Sequence, residues 1–369
     1  MSYNILVINP GSTSDDIGYY RGPAAVFEDK IDYTAKELAP FEGKNVTEMA
    51  PLKEKMILSY LAGHNVDLKE INVVIGRGGL LKPIEGGAYR INDLMLKDLK
   101  EGARGIHASN LGGILAHAIA QKAGCVSFIS DAVVVDELQP LARYSGMPQL
   151  PRISIFHALN QRRVAFHTAQ KLGKAYEKCN FIVLHAGGGI SIGAHKQGRV
   201  VDVNNALNGE GPLTPQRSGT LPAQALADMC FSGKYTPAQI SLKIKGKGGV
   251  YAYAGTHNLK ALSHFIDTGE KTDDAIACAR HQAKDIRDAM IYQISKYLGY
   301  FAAVLQGEID AVILTGGLMG NEYIREQVKQ KAAWLKAPVY VYPGSDEKAA
   351  LREAAQRALD NPSTIKEYK

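Results

Sequence analysis

Short apolar runs broken by glycine alternate with longer amphipathic stretches along this chain. Residues 4–8, 73–75, 126–130, 181–184, 190–194, 311–314 and 339–342 are too short for helices and read as buried strands. Helical patterning covers 49–63, 109–122, 155–179, 221–231, 274–306 and 346–359, and Asn92 is placed to cap a further helix through Lys100. In the longest of these, Ile286, Met290, Ile294, Tyr297, Phe301 and Leu305 recur at spacings of four or three, a stripe that marks core rather than a cofactor site. Two stretches have loop composition: the polar, Gly/Pro-rich 202–219 and the basic, Gly-rich 243–253. Strands alternate with helices throughout, so the predicted class is α/β.

One pattern occurs twice. Residues 180–202 read as a strand, then His185 and the turn Gly187-Gly188-Gly189, then a returning strand. Without Cβ atoms such a turn brings its N–H groups close to a ligand, and a hairpin of this kind can cradle phosphate oxygens. Residues 4–11 have the same order of apolar run, polar residue and glycine, with Ser12, Thr13 and Ser14 following where the second copy has bare glycine backbone. The repeat is compatible with two halves of similar plan facing each other across a cleft, or with two unrelated hairpins in one sheet protein. The length of 369 residues favours two domains, and the prolines at 140, 148 and 151 put the boundary near Pro151.

Composition narrows the function. The chain is 46% hydrophobic and 22% charged, ordinary globular values. Its net charge of +6 is spread out, and no Lys/Arg block carries interleaved aromatics. Nucleic-acid binding is therefore disfavoured, whereas a small anionic substrate is welcome. The four cysteines form no CxxC pair and the ten histidines show no metal spacing, so free thiols in a reducing cytosol are expected. No basic leader and no apolar run of ~20 residues appears, which points to a cytoplasmic protein without membrane contact.

Glycine turns follow strands at Gly11, Gly78-Gly79, Gly187–Gly189 and Gly316-Gly317, but no GxxxxGK[ST] loop and no strand-linked GxGxxG is present. Four such turns in an α/β chain point to a nucleotide site with another kind of phosphate grip. The motifs INPGSTS (8–14), GRGGLLKPIEGG (76–87), HASNLGGI (107–114), SIFHALNQ (154–161), HAGGGIS (185–191), GRVVDVNNALNGEGP (198–212), RSGTLP (217–222), CFSGKYT (230–236), ILTGG (313–317) and VYPGSDE (341–347) resemble those of the butyrate kinases. That group belongs to the acetate/propionate/butyrate kinases, within the actin-like, sugar-kinase and Hsp70 ATPase superfamily.

The resemblance implies two duplicated RNase-H-like domains, 1–151 plus 346–369 and 152–345, with ATP between them. It implies the reaction ATP + butyrate ⇌ ADP + butyryl phosphate with Mg²⁺, by direct in-line transfer, in a homo-oligomer of two or more subunits. The nucleophile is a carboxylate, with a pKa near the ~4.3 of a Glu side chain, so no general base is required. What the step needs is cationic cover and in-line positioning. By resemblance Arg77 lies beside the substrate carboxylate, and Arg217 and His157 beside the transferring phosphoryl group. His185 and Gly187–Gly189 form the phosphate turn. Asn9, Ser12 and Ser14 contact phosphate or hydrated Mg²⁺. Asp131 holds the metal through water, and Glu347, or Asp346 beside it, is the acidic metal residue. Asn205 and Gly211 border the phosphates, Asn258 is counted among the nucleotide-binding residues, and Gly316 and Gly317 flank the adenosine. Each has a plainer reading as well: surface ion pair for the arginines, buried hydrogen-bonder for the histidines, helix cap or helix-end charge for the acids, polar turn for the rest.

The chain departs from the family pattern in two places. Where butyrate kinases read STSTK it has Ser12-Thr13-Ser14-Asp15-Asp16, with Asp16 in place of Lys. Where they read GT-N/S-DAR it has Gly255-Thr256-His257-Asn258-Leu259-Lys260, with Asn258 for Asp and Lys260 for Arg. An active short-chain carboxylate kinase and a diverged paralogue that binds nucleotide or acyl phosphate with little turnover are the two readings. A kinase for another short or branched acid is a variant of the first.

Overall fold

The computed structural model describes residues 2–102 and 104–369. Its strands are β1 (Asn4–Pro10), β2 (Ser14–Arg21), β3 (Ala24–Asp32), β4 (Val73–Arg77), β5 (Ala88–Arg90), β6 (Val126–Ser130), β7 (Asn180–Ala186), β8 (Ile190–Lys196), β9 (Arg199–Val203), β10 (Ala311–Gly316), β11 (Val339–Pro343) and β12 (Lys366–Glu367). The chain divides into two compact units, Met1–Asp136 with Asp346–Lys369, and Glu137–Ser345.

The first unit carries a sheet in the order β12-β5-β6-β4-β1-β2-β3. β1, β2 and β3 run antiparallel, while β1, β4 and β6 run parallel. Residues 5–8 of β1 and 73–75 of β4 are fully buried, which is why these strands read as unbroken apolar runs. Helix Asn110–Ala123 packs against β4 at unusually short range. A Cβ on Gly76 would overlap the Gly112 carbonyl, and one on Gly112 would overlap the Arg77 carbonyl. Only a glycine pair lets the helix lie on the strand this closely.

The second unit repeats the plan in the order β11-β10-β7-β8-β9. Again a three-stranded antiparallel meander, β7-β8-β9, adds parallel strands, β10 and β11, on the side of its first strand. The repeated hairpin is thus a repeated half-fold, and both units are α/β. Of the stripe expected on helix Arg280–Val304 and its C-cap, Met290, Ile294, Phe301 and Leu305 are buried in the core, while Ile286 and Tyr297 are half-buried against it. Among the described residues no helix is long and apolar enough to cross a membrane.

Several expectations need correction. The helix expected over 155–179 is Ala158–Lys171, because Gly173 turns the backbone at φ +65° and a separate 3-10 turn follows at Tyr176–Lys178. The loop expected over 243–253 is largely helical, Pro237–Lys245 and Gly249–Ala254. A capping box between Thr236 and Gln239, with Pro237 at the first position, starts the first of these helices. β3 and β9 are edge strands with mixed faces, which hid them from the pattern. The units part at Asp136–Glu137, ahead of Pro151. Val200 N–H donates to the Glu137 carboxylate at 2.7 Å and Gln139 N–H to the Val201 carbonyl at 2.9 Å, which fastens this segment to β9.

Candidate active site

In the first unit the candidates gather at the end of β1. The Gly11 N–H donates to the Ser14 carbonyl at 2.7 Å and closes the β1–β2 turn, leaving Ser12 exposed and Ser14 half-buried. Side chains alternate beyond it. Asp15 turns inward, fully buried, and pairs with a fully buried Lys53 at 2.6 Å. The Tyr33 hydroxyl also donates to Asp15, and Lys53 Nζ donates to the Gly11 carbonyl at 3.1 Å. Burial pushes the Asp15 carboxyl pKa up and the Lys53 ammonium pKa down, and each partner's charge opposes the other's shift. This pair under the turn was not predicted from the sequence. Its trace was there, since Lys53 lies in register with the buried Ile57 and Leu61 on one helix face.

Asp16 stands directly across from Asn9 in the ladder, so the two side chains share a face. Asn9 Nδ2 donates to Glu347 Oε2 at 2.8 Å, and Arg77 Nη1 donates to the same oxygen at 2.7 Å and to Asn9 Oδ1 at 3.4 Å. Asn9, Arg77 and Glu347 therefore meet. The Nε and Nη2 groups of Arg77 bond no protein acceptor among the described residues, which leaves one edge of the fork for a carboxylate. Asp346 caps helix Glu347–Asp360 by accepting from Ala349 N–H at 2.9 Å, so Glu347 rather than Asp346 reaches this cluster. Asp131, at the end of β6 with φ +42°, accepts from Gly87 N–H at 2.8 Å and from the Ser130 hydroxyl at 3.1 Å. It holds the Gly86-Gly87 loop.

In the second unit the β7–β8 turn is tied by Gly187 N–H to the Gly189 carbonyl at 2.9 Å and by the Thr214 hydroxyl to the Gly188 carbonyl at 2.7 Å. Thr214 Oγ1 in turn accepts from Arg217 N–H at 2.9 Å. The Arg217 guanidinium lies directly over Gly189, where any Cβ would overlap Nη1. Nη1 donates to the Ala206 carbonyl, and Nε is buried with no partner. Desolvation lowers the Arg217 pKa, and among the described residues no carboxylate compensates this cation. His157 stands at the start of helix Ala158–Lys171 and His185 near the end of β7. Their rings stack, with centroids 3.9 Å apart and planes 7° from parallel, and His157 Nδ1 lies 2.8 Å from Ser191 Oγ.

The remaining candidates lie on the same unit, and Gly316 packs against Ala186 at the end of β7. Asn205 Oδ1 accepts from the Leu207 and Asn208 N–H groups and shapes the 204–211 loop. Gly211 lines a cavity of about 430 Å³ with Arg152, Glu210 and Tyr300. Asn258 caps helix Leu259–Thr268 through Ala261 N–H, so this side chain serves as a helix cap. Gly316 leaves β10 bonded to Gly344 in both directions, and open space surrounds Gly317. No group of three acidic, histidine or cysteine side chains among the described residues forms a metal cage.

A family model described as the acetokinase family matches residues 152–338. Across the full length of both chains, the sequence is 55% identical to a probable butyrate kinase of Elusimicrobium minutum and 46% identical to butyrate kinase 2 of Clostridium acetobutylicum. The fold matches that of Porphyromonas gingivalis acetate kinase with a TM-score of 0.76 at 20% identity, over 97% of this chain and all of the other. The family model and these full-length relatives together show that the chain belongs to the acetokinase family.

Proposed function

We propose that the chain transfers the γ-phosphoryl group of ATP to butyrate, giving butyryl phosphate and ADP. Family membership makes it a short-chain fatty acid kinase that uses ATP. Butyrate as the acceptor follows the names of its full-length relatives. The observation that carries the reading is Arg217, a partly buried guanidinium with no carboxylate partner among the described residues, held over the Gly187–Gly189 turn. A cation so desolvated favours an anion beside it.

The residue roles follow from that. The open edge of Arg77 takes the acceptor carboxylate in a bidentate pair, while its other edge stays on Glu347. The carboxylate is already ionised, so the protein orients it rather than deprotonating it. Arg217 and His157 cover the charge on the transferring group, with His185 and the glycine turn beside them. The donor set suits Mg²⁺, which keeps several waters and takes one or two carboxylates plus phosphate oxygens rather than a protein cage. Glu347, with Asn9 bonded to it and Ser12 and Ser14 in the turn that follows Asn9, would hold it, and Asp131 would reach it through water. When bound it neutralises phosphate charge. Asn205, Gly211, Asn258, Gly316 and Gly317 complete the nucleotide side. A dimer or larger assembly is proposed on resemblance alone.

The second reading, a binding protein with little turnover, draws on Asp16, which lies on the face of Asn9. A hydroxamate assay for acyl phosphate from MgATP and butyrate separates the two. Steady turnover is expected, with Arg217→Ala lowering kcat by about a hundredfold or more and changing the KM for butyrate little. A kcat within a few-fold of wild type would remove Arg217 from the chemistry.

A further inference from the structure

A chain of buried polar side chains runs through the second unit to His157 without contributing to the roles assigned above. Tyr176 Oη lies 2.7 Å from His195 Nδ1, His195 Nε2 lies 3.0 Å from Gln161 Oε1, and Gln161 Nε2 lies 3.1 Å from the Ser191 carbonyl and 2.8 Å from Ser191 Oγ. Ser191 Oγ then meets His157 Nδ1 at 2.8 Å. His195, Gln161 and Ser191 have no solvent exposure.

The direction of every proton in this chain follows from donor and acceptor inventory. A backbone carbonyl only accepts, so the Gln161 nitrogen faces Ser191 and its oxygen faces His195. That oxygen only accepts, so His195 carries its proton on Nε2. Complete burial drives the His195 pKa down to about 3, which leaves the ring neutral and Nδ1 bare to accept from Tyr176. At the other end, Ser191 Oγ accepts from the Gln161 amide and from the His157 backbone N–H at 3.4 Å. Among the described residues, the one remaining partner of its own proton is His157 Nδ1.

We infer that Ser191, Gln161 and His195 are positioning residues that fix His157 as the neutral tautomer with its proton on Nε2, so that this side chain meets the transferring phosphoryl group as a hydrogen-bond donor and not as a base. The tautomer rests on the relay geometry, and its use in phosphoryl transfer rests on the function proposed above. A proton on His157 Nδ1 would leave the Ser191 hydroxyl proton buried without an acceptor, the arrangement folded proteins avoid. The parallel stack on His185 holds the ring plane. A donor at this place strengthens its bond as negative charge gathers on the transferring oxygens.

The test is long-range ¹H–¹⁵N spectroscopy of full-length protein labelled at its ten histidines, with His157 assigned by its loss in His157→Asn. At neutral pH the expected spectrum shows His157 protonated on Nε2 with a bare Nδ1. Ser191→Ala and, independently, Gln161→Met are expected to give a mixture of tautomers. They should lower kcat by about tenfold or more while the KM values for MgATP and butyrate move little. A wild-type His157 protonated on Nδ1 would overturn the relay. So would variants that lose kcat while the His157 signals stay as in wild type, since that outcome makes the network merely structural. If the spectra are as expected and the wild type forms no acyl phosphate, the relay stands and the proposed function falls.

Discussion

Gly189 and Asp16 are the single residues on which the site's electrostatics turn most directly. The Arg217 guanidinium occupies the space a Cβ at 189 would need, and the overlapping atom is the tip of a long side chain. Gly189→Ala is therefore expected to leave the fold intact and push the guanidinium off the turn. The thermal midpoint should stay within a few degrees, while kcat falls by about tenfold or more, because an arginine displaced by an ångström would lose the transition-state contact proposed for it. A matched loss of stability and activity would mean that the turn itself had collapsed. Asp16 shares the face of Asn9, with Lys30 across from it and bound to Asp32 at 2.8 Å. A carboxylate ~6 Å from a phosphate charge at an effective dielectric of ~20 is repelled by roughly 2–3 kcal/mol. Asp16→Lys is expected to lower the KM for MgATP or raise kcat at fixed butyrate. An unchanged enzyme would put this side chain in solvent at the rim, and a raised Mg²⁺ requirement would make it a metal residue.

At the scale of elements, the β1–β2 turn is held from beneath by helix Ala50–Gly63. Lys53 on that helix ties Asp15 at the start of β2 to the carbonyl of Gly11 in the turn. Removing one member of a buried pair strands the other, which costs about 3–5 kcal/mol, whereas losing both members together costs far less. Lys53→Met should lower unfolding stability in urea by that amount, and Lys53→Met with Asp15→Asn should recover most of it. Equal losses in the single and double variants would show that Lys53 contributes packing and not charge. The glycine contact between Gly76 and Gly112 plays the same kind of part for Arg77, since it sets the distance between strand and helix where that residue leaves the sheet.

For the molecule as a whole, the first unit is built from both ends of the chain. Helix Glu347–Asp360 and β12 return to it after the second unit is complete, and Glu347 reaches Arg77 and Asn9 only by that return. Tyr368 anchors the returning segment by donating to Asp98 at 2.7 Å, with Lys82 at 3.3 Å from the same carboxylate. A hydrogen bond to a charged acceptor contributes about 1.5–2 kcal/mol, so Tyr368→Phe should lower stability by about that much at neutral pH. The Tyr368 hydroxyl first, and then Lys82, hold the Asp98 carboxyl below its ordinary 3.8. A depressed carboxylate stabilises the fold fully above that ordinary value and loses its contribution as the pH falls through the folded one. Wild type and variant are thus expected to converge in acid. A difference that persists unchanged below that range would mean that Asp98 is not the group Tyr368 serves.

The amino-acid sequence by itself determined the elements whose signal is local. β1, β4, β7 and β10 are apolar runs ended by polar or glycine residues, and a strand buried on both faces must look like that wherever it lies. The Asn92 cap, the core stripe of helix Arg280–Val304 and the glycine turn at 187–189 were legible for the same reason. Where a polar edge or a cap outweighed composition, as in β3, β9 and the helices within 237–254, the local pattern misled. Only the tertiary structure decided which charges meet. Asn9, Arg77 and Glu347 are 338 and 270 positions apart along the chain in their two bonds to one oxygen, and Asp15 and Lys53 are 38 apart. A residue's type fixes what it donates or accepts, but its partner is whichever group folding brings within about 3 Å, and that depends on long-range packing the local pattern does not carry.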